Sequence, residues 1–158
     1  FDPISLSYPW VLKQEDKYKM WYGSTVSWRC ENNEMLHVIK DAVSDDGETW
    51  KPGVQAVESA IGIAQAFSRP TVIQYKSRYH MWFSFRSGTG EKYRIGYSES
   101  PDGFTWSTPR PSSLTVSEDG WDSEMVCYPC VFKYKSELYM IYNGNDYGKF
   151  GFGLAVVR

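Results

Sequence analysis

Apolar and polar positions alternate in short runs along this chain, and the runs come in three matching sets. SYPWVLKQEDKYKMWYGS (Ser7 to Ser24), SRPTVIQYKSRYHMWFSF (Ser68 to Phe85) and CYPCVFKYKSELYMIYNG (Cys127 to Gly144) each hold an apolar run, a charged turn and a second run centred on Met-Trp or Met-Ile. Aligned on Pro9, Pro70 and Pro129, the copies stand roughly 60 residues apart, a period that marks repeated supersecondary units. The runs are rich in Val, Ile, Tyr, Trp and Phe and flank Gln14 to Lys17, Tyr75 to Arg78 or Tyr134 to Glu137. This pattern predicts strand, tight turn, strand.

A second hairpin follows the first two copies. His37 to Trp50 and Tyr93 to Trp106 both pass from an alternating strand through Asp-Gly to Thr-Trp, and Asp-Gly signals a hairpin because Gly accepts the positive φ that such turns need. After the third copy, Phe150 to Val157 supplies one more strand. The unit is therefore four antiparallel strands, present twice in full and once without its last strand. Four-stranded units at this spacing are blades of a β-propeller, so the fold class is all-β with about three blades.

In chain order, Phe1 to Leu6 is a connection into the first blade. That blade has strands near Tyr8 to Lys13, Tyr18 to Gly23, Leu36 to Ser44 and Thr49 to Val54. The second has strands near Thr71 to Tyr75, Tyr79 to Phe85, Tyr93 to Ser100 and Thr105 to Thr108, and the third begins near Val126. The blades span about 7–56, 68–116 and 126–158 of a single domain covering 1–158, with no Gly/Ser-rich or Pro-rich linker between them. Val57 to Phe67 carries Ala and Gln, but its Gly and β-branched content predicts a short strand or irregular loop. Phe1 in place of an initiator Met points to a chain cut from something longer.

Up-and-down strands sort the loops into two ends. The charged turns and the Asp-Gly turns share one end and are short. The other end holds the long loops, with Trp28, Arg29, Glu31, Glu58, Arg69, Arg86, Lys92, Asp122, Glu124, Asn143, Asn145, Asp146 and Lys149. Binding groups concentrate in loops held on a rigid scaffold, so the long-loop end is the expected functional face.

Composition agrees with a β protein: 17% of the 158 residues are aromatic, and such residues suit strands and sheet packing. A net charge of -2 gives no reason to expect nucleic acid or an anionic membrane as partner. No apolar run approaches the ~18 residues of a membrane span. The three Cys form no disulfide framework, and Cys127 and Cys130 stand at odd spacing on a strand, which places them on opposite faces as small core residues rather than as a redox or zinc pair. The expected compartment is the cytoplasm, with secretion as the alternative, and no metal or other cofactor is expected.

Tyr or Arg before Pro on an inner strand, Tyr-x-Met-Trp-Tyr on the next, and Ser-x-Ser-x-Asp-Gly-x-Thr-Trp closing the hairpin together resemble the five-bladed propellers of the furanosidase superfamily. That superfamily includes arabinanases, β-xylosidases, levanases, invertases and mannoside phosphorylases. EMVCYPCVFKYKSELYMIYNGNDYGKFGFGLAVV is similar to the C-terminal end of such glycosidase-like proteins, and the resemblance covers nearly the whole chain. It implies that this chain is the C-terminal three blades of a five-bladed ring. Ser44 to Gly47 and Ser100 to Gly103 differ in spacing from the Asp-box of sialidases, which argues against that relative.

The resemblance also implies a sugar site at the channel mouth. Glycoside cleavage needs one protonated and one ionised carboxyl group. Glu58 and Glu124, each shortly before the inner-strand Pro of its blade, are the candidates, with Asp122 third; the alternative for each is a solvated charge. Arg69, at the position of Tyr8 and Tyr128 in the sister copies, is a donor to sugar hydroxyls or phosphate, or else an ion-pair partner of Glu58. Arg86 and Tyr128 are further substrate contacts. Asn143, Asn145 and Tyr147 suit hydroxyl recognition or a tight turn, Trp28 suits stacking on a sugar or the core, and His37 and His80 are strand-face residues.

In the family the catalytic base is an Asp on the inner strand of the first blade. No Asp precedes Pro9, Pro70 or Pro129, so the base lies outside this chain. The expected function is a glycosidase-like or glycan-phosphorylase-like domain incomplete for catalysis alone. The alternative is a non-catalytic carbohydrate-binding or structural propeller segment. Both flanks of a three-blade arc expose apolar sheet, which predicts a homodimer or association with missing N-terminal blades.

Overall fold

The computed structural model describes Asp2 and residues 4–88 and 90–157. Phe1 and Arg158, the expected ends of the domain, lie outside the described residues. Three antiparallel sheets follow one another. The first is β1 (Ser5–Gln14), β2 (Lys17–Ser27), β3 (Leu36–Ser44) and β4 (Lys51–Gln55). The second is β5 (Ser68–Tyr75), β6 (Arg78–Phe85), β7 (Arg94–Ser100) and β8 (Arg110–Pro111). The third has β9 (Cys127–Tyr134), β10 (Glu137–Asn143) and β11 (Phe152–Val157). The fold is all-β, and each sheet is a propeller blade, the third with three strands.

The Met-Trp dipeptide of the repeat explains why the sheets stack. Successive residues of a strand point to opposite faces. Met81 of β6 joins the core shared with the first blade, among Trp21, Ile39, Phe67 and Val72. Trp82, its neighbour, joins the core shared with the third blade, among Ile95, Val131, Met140 and Tyr142. One strand thus seals both interfaces. Polar bonds add register between the inner strands: the Trp10 indole donates to the Val72 carbonyl at 2.7 Å, and the Val131 amide donates to Thr71 Oγ1 at 3.3 Å.

The short turns form as their residues dictate. β5 and β6 are joined by Lys76 and Ser77, both at positive φ, the geometry that matches the twist of a two-residue hairpin. At the Asp-Gly turns, Asp46 Oδ1 accepts the Glu48 and Thr49 amides at 2.8 and 2.7 Å, and Asp102 Oδ1 accepts those of Phe104 and Thr105, both at 2.8 Å.

The outer strand of the second blade is Arg110–Pro111 rather than the expected Thr105 to Thr108, within which the Ser107 amide alone donates to the Glu99 carbonyl, at 2.8 Å. The Thr105 amide is already used by Asp102, and Pro109 and Pro111 have no amide to add to a ladder, which keeps the strand to two residues. β1 starts earlier than expected, because Ser5 to Ser7 pair with Gly23 to Thr25. The stretch 56–67 is irregular, with an isolated bridge between Ala60 and Ala64.

Candidate functional site

The three inner strands carry the same irregularity at the same place. Ser7 pairs with Gly23 and Trp10 with Trp21, so Tyr8 and Pro9 together oppose one residue of β2. Arg69 and Pro70 do the same between the Ser68–Ser84 and Thr71–Trp82 pairs, and Tyr128 and Pro129 between Cys127–Asn143 and Cys130–Ile141. Tyr8, Arg69 and Tyr128 have φ of 52°, 48° and 55°. The Pro following each has no amide to give to the ladder, and a bulge re-aims the side chain beside it. Non-Gly residues held at positive φ mark places where the surroundings hold strain, frequently functional ones.

These re-aimed side chains meet at the long-loop end. The Arg69 guanidinium carbon lies 5.0 Å from the Tyr8 ring centroid and 4.5 Å from that of Tyr128. Tyr147 stacks on Tyr128 at 5.9 Å, and Tyr93 stands at an angle to both. Tyr8 stacks on His37 at 6.4 Å, completing a wall of rings around one cation. Asp146 and Tyr147, at φ 52° and 59°, make the left-handed turn Asn145–Gly148, which presents Tyr147 here with its ring exposed.

Electrostatics sort the groups by charge state. Arg86 Nη2 meets Glu34 Oε1 at 2.9 Å, and the Arg86 guanidinium lies 5.2 Å from the Tyr93 ring. Burial raises the Tyr128 and Tyr93 phenols above their ordinary value, so both are neutral OH groups. Burial also pushes the Cys127 thiol up to about 12, opposed only in part by Arg69 nearby. Burial lowers His37, leaving a neutral imidazole within 3.1 Å of Ser7 Oγ and 3.4 Å of Thr25 Oγ1.

Of the residues singled out from the sequence, Arg69 and Tyr128 lie at the centre of this cluster, and Arg86 borders it through Tyr93. Arg69 makes no ion pair with Glu58; it is exposed and held between rings instead. Glu58 is exposed on the stretch joining the first two blades. Glu124 is exposed and pairs with Lys92 at 3.7 Å. Asp122 is buried and accepts the Tyr142 hydroxyl at 2.8 Å. Asn143 donates to the Tyr147 carbonyl at 2.8 Å, closing the turn. Asn145 Oδ1 accepts the Glu124 and Met125 amides at 2.9 and 3.0 Å. Trp28 is largely exposed. Cys127 is buried and Cys130 exposed.

Tyr8 was legible from the repeat register but not singled out as a site residue. Glu34 had no local signal, since its partner lies on another blade. Cavities lie apart from the ring cluster: one of about 320 Å³ on the open face of the first blade, against Leu6, Pro9, Met20 and Trp50, and one of about 420 Å³ between the second and third blades.

Tyr8, Arg69 and Tyr128 thus hold equivalent strained positions on the inner strands of the three blades. The fold is that of the glycosidase-like propellers. It matches the family 117 glycoside hydrolase Zg3597 of Zobellia galactanivorans with a TM-score of 0.78 at 20% identity, over 96% of this chain and 51% of that one. It matches a β-1,2-mannobiose phosphorylase from Listeria innocua with a TM-score of 0.73 at 15% identity, over 96% and 40%. A β-fructofuranosidase of Bombyx mori gives 0.66 at 16% identity, over 92% and 32%. In sequence, the chain is 42% identical to the uncharacterized protein Rv1502 of Mycobacterium tuberculosis over 99% of its own length and 52% of the relative's. It spans about half the length of the curated relatives it matches. No protein-family profile matches the chain.

Proposed function

We propose that this chain binds carbohydrate at the long-loop end of its blades, as the sugar-holding part of a glycosidase-like propeller whose catalytic set is completed outside it. The convergence of Tyr8, Arg69, Tyr128 and Tyr147 carries this reading. Aromatic faces pack against the C–H face of a sugar, and phenol and guanidinium groups bond its hydroxyls. The glycoside hydrolase and phosphorylase neighbours support a carbohydrate as the ligand class. Glu58, Glu124 and Asp122 remain the carboxyl candidates of this chain, with Arg86, Asn143, Asn145 and Trp28 as outer contacts.

A second reading, binding without catalysis, draws on where the carboxylates are. Glu34 is tied to Arg86, Asp122 to Tyr142 and Glu124 to Lys92, so none is presented as a free acid and base pair. The exposed apolar face of the third blade, with Phe132, Ile141, Phe152, Leu154 and Val156 in register, supports assembly with a second copy or with further blades. Cys30, Cys127 and Cys130 are free thiols, which fits the cytoplasm.

Calorimetric titration with neutral and acidic mono- and oligosaccharides tests the reading. Saturable binding by the native chain, weakened at least tenfold in Tyr128→Ala with an unchanged circular dichroism spectrum, is the expected result. Absence of binding to every sugar, or equal affinity in the variant, would reject this site.

A further inference from the structure

The ring cluster contains a cation with no counter-ion among the described residues. Arg86 is neutralised by Glu34, Lys92 faces Glu124, Arg78 faces Glu99 and Lys40 meets Asp2. Arg69 meets no carboxylate within 4.0 Å among the described residues. None of its side-chain donors is bonded to a protein acceptor among them; its contacts are the faces of Tyr8 and Tyr128. The titratable neighbours supply no negative charge either, because burial keeps the Tyr128, Tyr93 and Cys127 protons in place.

We propose that the site selects a carbohydrate bearing a carboxylate, a uronic acid unit, and that Arg69 is the group that binds the carboxylate. This rests on the carbohydrate reading above and narrows it. Charge-assisted guanidinium–carboxylate bonds are about twice as strong as neutral ones and are often bidentate, so an unpaired Arg discriminates an acid from its neutral parent sugar. The guanidinium fork fits carboxylate and phosphate alike, so inorganic phosphate enters the test as the competing ligand. The exposed ring of Tyr147 remains for the sugar body.

The test compares D-glucuronate and D-galacturonate, as methyl glycosides, with methyl glucoside, methyl galactoside and inorganic phosphate. Each is titrated into the native chain and into Arg69→Gln and Arg69→Lys, with circular dichroism as the fold control. A uronate is expected to bind more tightly than its neutral parent and to weaken as salt rises. Arg69→Gln is expected to weaken both ligands but to cut the uronate affinity by about tenfold more than that of the neutral sugar, with Arg69→Lys between the two. Equal binding of uronate and parent, or equal losses for both in Arg69→Gln, overturns the uronate selectivity and leaves the sugar site standing. Binding of phosphate at Arg69 without uronate binding overturns it in favour of a phosphate site. No binding of any sugar overturns the selectivity and the carbohydrate reading together.

Discussion

Arg86 at the end of the second blade holds Glu34 of the first at 2.9 Å, with side-chain exposures of 19% and 7%. Glu34 is set in place by its own loop, where its amide donates to Asn32 Oδ1 at 3.2 Å and its Oε1 accepts the Met35 amide at 2.8 Å. The pair therefore ties a long loop of one blade to the rim of the next, beneath the Tyr93 ring. Charges this buried are costly to separate, because removing one leaves the other desolvated and unpaired.

Arg86→Ala should accordingly lower the unfolding free energy by about 3–5 kcal/mol in urea titrations. The double variant Arg86→Met, Glu34→Gln should recover most of that loss, since neither charge is then stranded. A single variant as stable as the native chain would show the pair to be solvated in solution.

His37 should make the fold acid-sensitive. Its folded pKa lies below 6.5 because burial disfavours the imidazolium, so below 6.5 the unfolded chain binds more protons than the folded one. The stability it contributes is fully present above pH 6.5 and is lost as pH falls below it. Thermal midpoints of native and His37→Gln chains between pH 7.5 and 5 should diverge, with the native chain falling more steeply. Parallel curves would mean that His37 is open to water.

Asn145 should matter to the site through the loops that it holds together. Its Oδ1 holds the Glu124 and Met125 amides, and its Nδ2 donates to the Gly120 carbonyl at 3.1 Å, so it staples the loop before β9 to the turn that presents Tyr147. Asn145→Ala leaves two amides without their acceptor and should cost about 1–3 kcal/mol. It should also weaken sugar binding by releasing Tyr147. Asn145→Asp, which keeps the acceptor, should retain most of both; an Ala variant with native stability and affinity would contradict the staple.

The outer face of the third blade should drive association. Phe152, Leu154 and Val156 of β11 are exposed beside Ile141 and Phe132, a continuous apolar sheet face of the kind that marks interaction surfaces. Light scattering at micromolar concentration should report a species larger than a monomer, and Leu154→Glu should shift it toward the monomer without loss of strand content. A native chain that remains monomeric would sink this expectation.

Blade number, strand order and the sidedness of each blade were legible because they depend on residues close in sequence. Met81 and Trp82 face opposite blades simply because they are adjacent on a strand, and Asp102 clamps its turn through amides within three residues. Reading the outer strand at Thr105 missed that clamp, which removes the Thr105 amide from the ladder. Tyr8 could have been named from the repeat, since it occupies the register of Arg69 and Tyr128.

By itself, then, the sequence determined three stacked antiparallel units with their long loops at one end, because alternation, turn chemistry and a repeat period act locally and recur. Only the tertiary structure decided what fills that end. The x-Pro bulges rotate Tyr8, Arg69 and Tyr128 out of the strand alternation, and it is the packing of blade on blade that brings them, from positions far apart in the chain, within ring contact of one another. Glu34 and Arg86 are matched in the same way. Whether Arg69 would find a carboxylate or two aromatic faces depended on distances between blades, which no local pattern of residues encodes.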